Sequence, residues 1–116
     1  MKVGIVGSRH FAELARVESY VESLPRTARI VTGSASGVDA AATRAARRHG
    51  LAVQVLGASF EEARDLSVAA ARNQRLIDQC DVLVAFWDGS SKGTRATVDR
   101  ALDSGREVHV FIGSVS

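Results

Sequence analysis

The sequence holds one cysteine, one proline, one tryptophan, one tyrosine and only two lysines, Lys2 and Lys92, and it has no long apolar run. A lone cysteine, Cys80, excludes an internal disulfide and fits a reducing compartment. The N-terminal segment Met1-Lys2-Val3-Gly4-Ile5-Val6 reaches Arg9 after a short apolar stretch, too brief for a signal-peptide core or a membrane span. The expectation is therefore a cytoplasmic protein with no membrane partner. At 116 residues there is no length for two domains, and no linker, repeat or low-complexity tract divides the chain, so residues 1–116 are expected to form one domain. The formal charge of +2 comes without a clustered Lys/Arg stripe, which ranks nucleic acid well below a small molecule as partner. His10, His49 and His109 share no metal-ligand spacing, and no motif specifies a metal or a cofactor.

What the chain does contain is a thrice-repeated pattern. A short apolar run breaks into a Gly/Ser loop that opens a helical segment at Gly7-Ser8-Arg9, at Gly33-Ser34-Ala35-Ser36-Gly37 and at Gly89-Ser90-Ser91-Lys92-Gly93-Thr94. Val3 to Val6, Arg29 to Thr32, Ala52 to Leu56, Val82 to Phe86 and Val108 to Ile112 read as five buried strands. Between them, Phe11, Leu14, Val17, Val21 and Leu24 recur at helical spacing. Val38 to His49 forms an Ala-faced helix stopped by Gly50, and Phe60 to Cys80 holds a loop or turn and then a main helix. Thr94 to Ser104 forms a fourth helix, with Val98, Ala101 and Leu102 inward and Gly105 as its stop. This βαβαβαβαβ alternation predicts an α/β fold, a Rossmann-like three-layer sandwich around a five-stranded parallel sheet of order 3-2-1-4-5. That order sets strands 1 and 4 side by side where the winding reverses, and the three loops then line one mouth at the carboxyl edge of the sheet.

Each loop has a chemical and a structural reading. Gly33, Ser34 and Gly37 offer small residues and backbone donors for close phosphate approach, although any tight βα turn favours Gly and Ser. Asp39 is either a first-turn carboxylate that suits the helix dipole or a sugar ligand. Arg9, after Gly7 and Ser8, is placed to clamp a phosphate or carboxylate, and otherwise makes a surface ion pair. In the third loop, Gly93 and Thr94 open a helix, Lys92 adds charge, and Ser90 and Ser91 offer donors to an anion. Trp87 is positioned either beside a base or against the core. Arg72 and Asn73 gain a binding role only if their helix leans over the crevice.

Three familiar motifs are absent or poorly supported. The third loop lacks the Lys-Ser/Thr pair of the NTPase phosphate loop, and Gly4-Ile5-Val6-Gly7 is not the dinucleotide fingerprint. Gly89-Ser90-Ser91-Lys92-Gly93 spells a nucleophile elbow, but Asp99 on the following helix and His109 inside the last strand are not delivered to Ser91.

Taken in order, Val6-Gly7-Ser8-Arg9 with Phe11, Val31 to Asp39, Ala71-Arg72-Asn73, and Ala85 to Gly89 with Lys92-Gly93-Thr94 resemble the YspA/YpsA-related branch of the SLOG superfamily. That superfamily includes the Lonely-guy phosphoribohydrolases and the DNA-processing protein DprA. The resemblance implies a Rossmann-like fold that binds a nucleotide-derived ligand such as a mononucleotide, NAD or an ADP-ribose derivative, and it implies a homo-oligomer. It further implies phosphate at the Gly33 and Gly93-Thr94 loops and an active-site position for Arg72. With the loop readings above, the candidate ligand set is Gly7, Ser8, Arg9, Gly33, Ser34, Gly37, Asp39, Arg72, Asn73, Trp87, Gly89, Gly93 and Thr94. Thr97 stands where Lonely-guy enzymes carry a catalytic glutamate, and threonine is no general base at neutral pH. The reading is therefore binding or sensing, with a nucleotide N-glycosidic hydrolase assisted by Asp39, Asp88 or Asp99 as the alternative.

Overall fold

The computed structural model describes residues 1–33, 37–56 and 66–113, with the side chains of 66–70 outside that description. Ser34, Ser36 and the crossover expected before residue 66 thus lie outside the described residues. The elements in chain order are β1 (Lys2–Gly7), α1 (Leu14–Glu22), β2 (Arg29–Gly33), α2 (Val38–His49), β3 (Ala52–Leu56), α3 (Leu66–Gln79), β4 (Val82–Trp87), α4 (Lys92–Asp103) and β5 (Glu107–Ile112). All four strand pairings are parallel, and the order is β3-β2-β1-β4-β5, as expected from the right-handed crossovers.

The pleat of the strands distributes their side chains between two helical layers. Val3 and Ile5 of β1, Ile30 of β2 and Val84 and Phe86 of β4 pack with Val17 and Val21 of α1 and the alanines of α2. On the opposite face, Val6, Val31, Leu83 and Ala85 meet Leu76, Ile77 and Cys80 of α3 and Ala101 of α4. Ala41, Ala42, Ala45 and Ala46 are fully buried, and their small volume lets α2 lie close to the sheet. Burial pushes the Cys80 thiol pKa above its ordinary value, which keeps it an apolar packing group. Phe86 joins an aromatic cluster, edge-on to Phe11 at 5.8 Å and stacked on Phe111 at 5.2 Å between ring centres.

Three sequence expectations are corrected. Helix α4 starts at Lys92 rather than Thr94, because Ser91 is its N-cap and the Ser91 hydroxyl accepts the Thr94 N–H. Its buried stripe is Thr94, Thr97 and Ala101, so Leu102, expected inward, is 56% exposed beside β5. Helix α1 is shorter than its apolar spacing suggests. Phe11 lies ahead of it, buried, with its N–H donated to the Ser8 carbonyl. The C-terminal stops hold, since Gly50 and Gly105 have φ of 78° and 75°.

Candidate functional site

The central pair of strands sets the first two walls of a cleft. Beyond the β1–β4 ladder the Ser8 N–H donates to the Phe86 carbonyl at 3.0 Å, so the loop after β1 leaves the sheet fixed to β4. The buried Ser8 hydroxyl then accepts the Asp88 N–H at 3.1 Å, joining the first loop to the third. Gly7 is required by packing here. A Cβ on it would stand 2.6 Å from Val38 Cγ2 and 2.7 Å from the Phe86 carbonyl oxygen.

At the end of β2, a Cβ on Gly33 would stand 2.7 Å from Asp39 Oδ2. The glycine makes room for that mostly buried carboxylate at the start of α2. Gly37, with φ of 78°, sits so close to the Arg9 carbonyl that a Cβ would approach its oxygen to 2.5 Å. Gly37 is in this way set directly against the first loop.

The third loop is organised by Asp88. Its Oδ1 accepts the Ser90 and Ser91 N–H groups at 2.9 and 2.8 Å and lies 3.3 Å from the Ser90 hydroxyl. These hydrogen bonds to the charged form hold the Asp88 carboxyl below the usual carboxylate range. The Ser90 and Ser91 amides expected to receive a ligand anion are therefore already occupied by the chain's own carboxylate. The Trp87 indole donates to the Ser91 carbonyl at 3.0 Å, bracing the same turn. Further along, the Thr97 hydroxyl donates to the Gly93 carbonyl at 3.0 Å.

Between these loops lies a cleft of about 480 Å³. The first loop contributes Gly7, Arg9 and His10, and the second contributes Gly33 with Asp39. From α3 come Arg72, Asn73 and Leu76, and from the third loop and α4 come Ser91, Gly93, Thr94 and Thr97. Helix α3 thus leans over the crevice, the condition on which Arg72 and Asn73 depended. The Arg72 guanidinium donates to Asn73 Oδ1 at 3.3 Å, and neither Arg9 nor Arg72 has an acidic partner among the described residues.

Several candidates do not line the cleft. Ser8 and Gly37 support it from behind, while Asp88, Trp87 and Gly89 shape the turn beside it. Ser34 lies outside the described residues. Ser91 and His109 are not brought together as a nucleophile elbow requires, since the Ser91 hydroxyl caps α4 and the His109 ring contacts Glu107 at 2.8 Å. Val6, His10, Leu76, Ser91 and Thr97 also line the cleft, outside the ligand set read from the sequence. The position of His10 directly after Arg9 was the available signal.

Gly93 differs from every other described glycine. Its backbone φ is not positive, and a Cβ built on it meets nothing within 4 Å. Gly50, Gly89 and Gly105 have left-handed φ values, and Gly4, Gly7, Gly33, Gly37 and Gly113 have close neighbours. Gly93 is thus the second residue of α4, at a position where neither a left-handed φ nor a close neighbour calls for glycine. It faces the cleft.

Among the described residues no helix is long and apolar enough to cross a membrane. No curated protein matches the sequence. The structure is similar to the X-ray structure of DNA processing protein A (DprA) from Streptococcus pneumoniae, with a TM-score of 0.83 at 24% sequence identity. The match covers 97% of this chain and 50% of that one, so the chain spans about half the length of the protein it resembles. Residues 1–84 match the model of the DNA recombination-mediator protein A family, and the chain belongs to that family within the SLOG superfamily.

Proposed function

We propose that the cleft binds the phosphate-bearing part of a nucleotide-derived ligand. The observation that carries this reading is Gly93, a helical glycine at the cleft wall whose missing side chain serves no packing or backbone need. It leaves the α4 N-terminus open to close approach, and the amides of Lys92 and Gly93 carry no hydrogen bond among the described residues. Arg9 and Arg72 supply the positive charge from two other elements, and Asp39 supplies an acceptor for a sugar hydroxyl. A thermal-shift series with mononucleotides, NAD and ADP-ribose tests the reading. Stabilisation is expected, and no shift with any of them at millimolar concentration refutes it.

A second reading is that the occupant is a nucleotide within a DNA strand, favoured by membership of a DNA recombination-mediator family. The low rank given to nucleic acid from the weak net charge finds no support in that membership. Binding of a single-stranded oligonucleotide whose affinity falls steeply with salt would select this reading over a free nucleotide. Hydrolysis rests on Asp39, the one carboxylate among the described residues of the cleft wall, because Asp88 is turned onto its own loop. Chromatography for released base tests it.

A further inference from the structure

The turn after β1 brings two adjacent residues, Arg9 and His10, to the cleft, and only the first carries a fixed charge. Its backbone is pinned to the sheet: the Ser8 N–H donates to the Phe86 carbonyl, the Phe11 N–H donates to the Ser8 carbonyl at 3.2 Å, and the Arg9 carbonyl faces Gly37 too closely for a Cβ. Phe11 then anchors the chain, buried and edge-on to Phe86. Arg9 and His10 lie between these anchors, both exposed. The backbone of His10 is therefore held at the cleft by the sheet.

Few charged groups share this space among the described residues. Arg9 lies on the same turn, Asp39 comes from α2 and Arg72 from α3, while the α4 wall of Ser91, Gly93, Thr94 and Thr97 is uncharged. Glu13, further along the chain, pairs with Arg16 at 3.0 Å. Arginine stays protonated and a carboxylate ordinarily stays ionised through the neutral range, so their sum is constant there. An imidazole changes, because histidine ordinarily takes up its proton near pH 6.5. His49 ends α2 at the far end from Asp39, and His109 contacts Glu107 on β5, which leaves His10 as the histidine of the cleft.

We propose that His10 is a proton-dependent third cation of the cleft, so that the site binds a phosphodiester-type anion more tightly as pH falls through the neutral range. This role rests on the cleft being a phosphate site. A bound anion favours imidazolium over imidazole, so the complex holds more protons than the free protein and ligand, and by linkage acid strengthens binding. His10 has a contact of its own in the free protein, and the ligand adds to it. One ring exchanges one proton, which caps the dependence at about tenfold per pH unit and sets an expected gain of about five- to tenfold from about pH 8.5 to about pH 5.5.

Isothermal titration calorimetry with ADP-ribose and with NAD over that pH range tests the role. Their bridging phosphates do not titrate there, whereas the second ionisation of a phosphomonoester near pH 6 would imitate the effect. Wild type is expected to bind about five- to tenfold more tightly at the acid end and, at about pH 7 in buffers of different ionisation enthalpy, to take up about half a proton per ligand. His10→Gln is expected to lose both the slope and the uptake, and His10→Lys to keep tight binding at alkaline pH. His49→Gln and His109→Gln are expected to retain the slope, with circular dichroism checking that each variant is folded. Affinity independent of pH, or a slope that survives in His10→Gln, overturns the role while the phosphate reading stands. Absence of binding by both probes at every pH overturns the role together with that reading for these ligands.

Discussion

Replacing Gly93 by alanine separates what the fold needs from what a ligand needs. The added methyl meets no atom within 4 Å, and the backbone φ lies outside the left-handed region, so the variant carries no steric or conformational penalty. Because alanine restricts the unfolded chain more than glycine, the substitution is expected to stabilise the free protein by about 0.4–1 kcal/mol, which raises its melting temperature by a few degrees. In the bound state the methyl occupies the approach to the α4 amides. Losing a hydrogen bond to a charged group costs about 1.5–3 kcal/mol, which corresponds to roughly ten- to hundredfold weaker binding. At a ligand concentration about 100 times the wild-type dissociation constant, wild type gains about 2.7 kcal/mol, whereas a variant binding a hundredfold more weakly gains only about 0.4 kcal/mol. The two melting curves therefore exchange order. Free Gly93→Ala melts above free wild type, and with ligand it melts below. Differential scanning fluorimetry with any nucleotide that shifts the wild type provides the assay. A destabilised free variant would show that the fold requires the glycine after all, and an undiminished ligand shift would remove Gly93 from the binding surface.

Two further outcomes follow from the loops around it. Gly7→Ala forces a methyl to within 2.6 Å of Val38 Cγ2 and 2.7 Å of a backbone carbonyl, so it is expected to destabilise the fold by about 1–3 kcal/mol in a urea titration. Unchanged stability would contradict the packing at the β1 exit. The carboxyl of Asp88 has a folded-state pKa depressed below the unfolded value, so its contribution to stability is fully present above the unfolded pKa of about 3.9 and fades as pH falls through the lower folded value. Wild type is expected to exceed Asp88→Ala in stability at neutral pH, with the gap closing in that acid range. A gap independent of pH would refute the assignment.

The fold was legible because the central strands β1, β2 and β4 are buried on both faces and so spell apolar runs, while each helix carries a one-sided apolar period; the edge strands β3 and β5, expected to be buried like the others, are largely exposed because no further strand flanks them among the described residues. Val82-Leu83-Val84-Ala85-Phe86 and the alanine face of α2 could hardly be read otherwise. The site was legible to the extent that it is local. Gly7, Gly33, Gly93 and Thr94 lie where loop chemistry placed them, but the course of each side chain depends on distances the sequence does not contain. Gly93 looks like a loop residue until Ser91 is seen to cap the helix in front of it. Trp87 reads equally as a neighbour to a base or as a residue against the core, and in the fold its indole N–H donates to the Ser91 carbonyl. Arg72 is an ordinary surface arginine unless α3 lies over the crevice, where the packing of Leu76, Ile77 and Cys80 against the sheet holds it.

The internal use of Asp88 changes what kind of anion site the cleft can be. A Gly/Ser loop ahead of a helix suggests a nest of backbone amides as the main phosphate receptor. Here the Ser90 and Ser91 amides hold Asp88, and the Thr94 amide holds Ser91, which leaves the amides of Lys92 and Gly93 at that helix end. On the proposed reading, most of the attraction then passes to Arg9 and Arg72, which come from separate elements and line the same cleft as Asp39. Guanidinium recognition of this kind is planar and directional, so lysine cannot substitute for either arginine without loss of geometry. It also sets a charge condition. Among the described residues of the cleft wall, two guanidinium groups and one carboxylate suit a singly charged phosphodiester, whereas a terminal phosphomonoester brings a second negative charge toward the Asp39 wall. The carboxylate beside Gly33 is thus the residue that would distinguish a nucleotide inside a strand or a dinucleotide from a free monophosphate.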